Sequence, residues 1–92
     1  MLEKYEFWLQ QYIETSITSD CDDHIFAVGY LQGHLAVVFA QLEDENKTSL
    51  TDIKETMDLC LLDAKTELSP EDYLLISEEW KDMFANLFEN FY

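Results

Sequence analysis

Apolar residues recur every three or four positions in four separate stretches, the spacing of amphipathic helices. The first stripe is Leu2, Tyr5, Trp8, Leu9, Tyr12, Ile13 and Ile17. It gives way near Thr18 to the polar run Thr18-Ser19-Asp20-Cys21-Asp22, where Asp20 or Asp22 can cap a second helix by accepting from its free N–H groups. That second helix is expected over about 23–43, followed by a charged loop at Asp44–Ser49. Ser49 and Asp52 resemble a capping pair for a third helix, whose stripe is Leu50, Ile53, Met57, Cys60, Leu61, Ala64 and Leu68. In Ser69-Pro70-Glu71-Asp72 the serine caps, the proline takes the first helical position where its missing N–H is no loss, and two acids favour the positive dipole end. The fourth stripe runs through Tyr73, Ile76, Trp80, Met83, Phe84, Leu87, Phe88 and Phe91. No strand alternation or hairpin signal interrupts this pattern. The chain is therefore expected to be all-α, a single domain over 1–92 forming a four-helix up-down-up-down bundle with helix two central.

Helix two divides into three sides at 100° per residue. Val28, Leu31, Leu35, Val38, Phe39 and Leu42 make a wide apolar side, and Asp23, Tyr30, His34 and Gln41 a narrow polar stripe. Gly29, Gly33, Ala36 and Ala40 make a third side of small residues. Each glycine in a helix interior costs roughly 0.8–1 kcal/mol relative to Ala, so close packing is the expected compensation. Helix one or four would approach the small side within the chain, with Trp8 or Trp80 filling the groove. The alternative is a self-association face, giving a homodimer rather than a monomer. On either reading helix two is expected to be buried around most of its circumference.

Charge narrows the range of partners. Twenty Asp and Glu stand against five Lys, with no Arg, for a net charge of −15. Neither nucleic acid nor an anionic membrane surface finds the basic face it requires. The uncharged run Ile25–Leu42 is broken by Gln32, His34 and Gln41 and flanked on both sides by acids. It lacks the cationic anchors of a membrane span and reads as a buried helix. Cys21 and Cys60 read as reduced thiols, and Met1–Lys4 leads into an amphipathic segment unlike a signal peptide. Asn90–Tyr92 is expected to fray unless Phe91 or Tyr92 finds a packing partner.

No chemistry-bearing constellation emerges. The Glu-x-x-His pairs of di-iron bundles are missing, because Cys21 precedes His24 by three residues and Leu31 precedes His34. Cys21-Asp22-Asp23-His24 has compact zinc-like spacing but no second pair. The acids around it lack the turn glycine of a calcium loop, and no phosphate loop or nucleophile motif is present. No catalytic, cofactor-binding or metal-ligating residues are expected.

The block Asp22-Asp23-His24-Ile25-Phe26-Ala27-Val28-Gly29-Tyr30-Leu31-Gln32-Gly33-His34-Leu35, followed by Glu67-Leu68-Ser69-Pro70-Glu71-Asp72 and by Trp80, Phe84 and Leu87, resembles the YfcL family of small gammaproteobacterial proteins. The likeness in length and motif order covers nearly the whole chain, loosely in helix one and Asp44–Asp58. It implies a cytoplasmic bacterial protein and brings no activity, ligand or catalytic residue with it. The expected function is accordingly a non-catalytic protein–protein interaction module of unidentified partner. Tyr30, His34, Gln41, Phe88, Phe91 and Tyr92 are its candidate contacts. An acidic decoy that occupies a basic nucleic-acid-binding protein is the alternative, and a small-molecule or metal binder the third reading.

Overall fold

The computed structural model describes residues 2–16 and 22–91. Four helices follow in order: α1 (Glu3–Ser16), α2 (Asp22–Asp44), α3 (Leu50–Ala64) and α4 (Pro70–Phe91). Ile17 of the first stripe, Thr18–Cys21 of the predicted break with its candidate cap Asp20, and the terminal Met1 and Tyr92 lie outside the described residues.

Local chemistry accounts for where the helices begin and end. Acids occupy the first turn of α1, α2 and α4, against the positive dipole end. Just beyond the end of α2, Asn46 adopts the left-handed region with φ 58. This lets the Lys47 N–H reach the Leu42 carbonyl at 2.9 Å and the Asn46 N–H reach Glu43 at 3.2 Å, the paired closure of a Schellman turn. Ser49 and Asp52 form a reciprocal capping box: the Asp52 N–H donates to Ser49 Oγ at 3.1 Å and the Ser49 N–H to Asp52 Oδ2 at 3.3 Å. At α4 the Asp72 N–H donates to Ser69 Oγ at 3.2 Å, with Pro70 opening the helix as expected.

The predicted stripes meet in one core. Val28, Leu31, Leu35, Val38, Phe39 and Leu42 of α2 are all buried, together with Tyr5, Leu9 and Ile13 of α1. Ile53, Met57 and Leu61 of α3 and Ile76, Trp80, Met83 and Leu87 of α4 complete it. α2 touches every other helix, as does α4, whereas α1 and α3 have no contact with each other. The bundle is thus a rhombus whose short diagonal is the α2–α4 pair.

One expectation is overturned. Gly29, Gly33, Ala36 and Ala40 are exposed rather than packed against a neighbouring helix. A Cβ built on either glycine meets nothing within 4 Å. Neither tryptophan fills a groove there: Trp8 stacks on Tyr12 with centroids 5.3 Å apart, and Trp80 is buried against Phe84 at 5.6 Å. The reason is area. Apolar burial contributes roughly 25 cal/mol per Å², so the Leu, Val and Phe side of α2 takes the core and the glycine side is left outward. α2 is central but carries one open face.

Candidate functional site

That open face is the most distinctive surface on the molecule. Along it, Ile25, Phe26 and Val37 stand 37%, 43% and 63% exposed beside the small residues. No charged residue occurs between Ile25 and Leu42, on a protein of net charge −15. By length and composition α2 would also suffice to cross a membrane, but its large-residue side is covered by α1, α3 and α4.

Of the predicted polar stripe, two members come together. The Tyr30 and His34 rings lie 4.5 Å apart, both half-buried, and Phe26 extends the row at 6.5 Å from Tyr30. Burial, with Glu67 and Cys60 nearby, pushes the Tyr30 phenol above its usual range. Gln41 does not join them. It is exposed and its amide donates to Glu45 at 3.4 Å, one turn on.

The C-terminal aromatics separate as well. Phe88 is 40% exposed and leans on Phe84 at 6.2 Å. Phe91 is half-buried, edge-on to Tyr5 at 4.9 Å, with the Lys4 ammonium over both rings. It therefore fastens the end of α4 to the start of α1 and is not a free contact. Tyr5 is the packing partner for which the expectation of fraying made its exception, and α4 continues through Phe91. Tyr92 lies outside the described residues.

Sequence reasoning missed a polar pair linking α2 to α4. His24 Nδ1 stands 3.0 Å from Glu79 Oε2, and the Glu79 side chain is only 11% exposed. Its second oxygen is buried with no hydrogen-bond partner among the described residues. Burial pushes the Glu79 carboxyl above the ordinary value, aided by Asp82 and opposed by His24. Glu6 on α1 moves the same way, through burial and the neighbouring Glu43 carboxyl of α2.

The sign of the pH dependence follows. A carboxyl with a raised folded-state pKa binds its proton more tightly when folded, so stability grows as pH falls from 7 toward the ordinary value of 4.5 and is lost on the way back up. The thermal midpoint is expected to be higher at about pH 5 than at pH 7. Glu79→Gln, which cannot ionise, should flatten that slope. An equal slope in the variant would remove Glu79 as a cause.

Among the described residues no group of three His, Cys, Asp or Glu side chains is positioned to hold a metal ion, and Cys21 is not among them.

Comparison with known proteins adds a family. The model of the family described as YfcL protein matches residues 3–85. Phe88, Phe91 and Tyr92 fall beyond that match. The chain is 33% identical over 86 residues to the Escherichia coli (strain K12) protein named "Uncharacterized protein YfcL", covering 91% of this chain and 94% of that one. No solved structure matches. With a whole-length relative and a family match spanning all but the last turns of α4, the chain belongs to the YfcL family.

Proposed function

We propose that this protein acts in the cytoplasm by binding another protein, without catalysis of its own, through the open face of α2. The observation that carries the reading is the pair of helical glycines facing outward, with no described residue within 4 Å of where a Cβ would stand. Each carries a helix penalty of about 0.8–1 kcal/mol that nothing inside the bundle offsets. A partner whose backbone comes close over Gly29 and Gly33 supplies the offset. Exposed Phe26 provides an aromatic anchor of the kind that concentrates binding energy. Tyr30 and His34 border the face and offer polar contacts that orient the partner.

The test is capture from native lysate at two ionic strengths, comparing the wild-type chain with Val37→Glu. Val37 is 63% exposed, so the substitution should leave the bundle folded. The wild-type chain is expected to hold its partner at both salt concentrations and the variant to lose it at both. Solution mass then distinguishes a second copy of the chain from a different protein. Equal capture by the variant would remove the α2 face from the interface. Capture that vanishes only at high salt would favour the acidic decoy reading, since exposed charge pairing is screened.

A further inference from the structure

We draw no further inference here: the strongest candidate, the open apolar groove between α3 and α4 lined by Leu61, Leu62, Leu74, Trp80 and Phe84, carries nothing because its Lys54 is already paired with Asp58, exposed acids flank its lysines, and nothing in the structure shows what covers it.

Discussion

Trp80→Ala is expected to cost about 3–5 kcal/mol of folding stability, much of the roughly 5–15 kcal/mol available to a domain of this kind. Trp80 is 3% exposed and lies where α3 meets α4, in ring contact with Phe84. Its indole N–H is also the group that engages Asp58 from across the helix pair. Removing the ring opens a cavity at that junction that the surrounding helices close only in part. Trp80→Phe separates the two contributions. It keeps most of the apolar contact and leaves Asp58 to water and Lys54, so a loss nearer 1 kcal/mol is expected. Urea denaturation with an unchanged slope measures both. A loss below about 1 kcal/mol for Trp80→Ala would mean that the α3–α4 junction is not an anchoring point.

The opposite sign is expected at the glycines. Gly29→Ala combined with Gly33→Ala should raise stability by about 2 kcal/mol, the summed helix-propensity difference. Neither glycine has positive φ, and neither Cβ position meets a neighbouring atom within 4 Å. The added methyl groups therefore enter open space while narrowing the conformations open to the unfolded chain. For a chain of this length that corresponds to a midpoint increase of roughly 8–16 °C. The same methyls should weaken a partner seated on α2, so a more stable protein that binds less well is the expected phenotype. A fall in stability would instead restore the close intramolecular packing that the small side first suggested.

How far the sequence carried the fold can be traced residue by residue. Ser49 with Asp52 and Ser69 with Pro70 act locally, over three residues or fewer, so their roles were legible without tertiary knowledge. The six large residues of α2 were equally legible, because no other side of that helix offers comparable apolar area. The outward turn of Gly29 and Gly33 was not. Both the small and the large side lack charge, and periodicity cannot say which of two uncharged sides receives neighbours. The pairing of His24 with Glu79 was hidden for a different reason. It depends on how α2 and α4 are set against one another, and each of the two residues alone reads as an ordinary surface position. Phe91 carried a partial signal: its place on the helix-four stripe predicted contact, but its partner Tyr5 lies at the other end of the chain.

The rhombic arrangement limits how events on one flank are felt on the other. Since α1 and α3 never meet, whatever lodges beside α3 can influence α1 only by displacing the two helices between them. Both of those carry fully enclosed side chains, among them Val28, Leu31 and Val38 on one and Ile76, Met83 and Leu87 on the other. A disturbance on the α3 flank is therefore expected to reach α1 only in attenuated form.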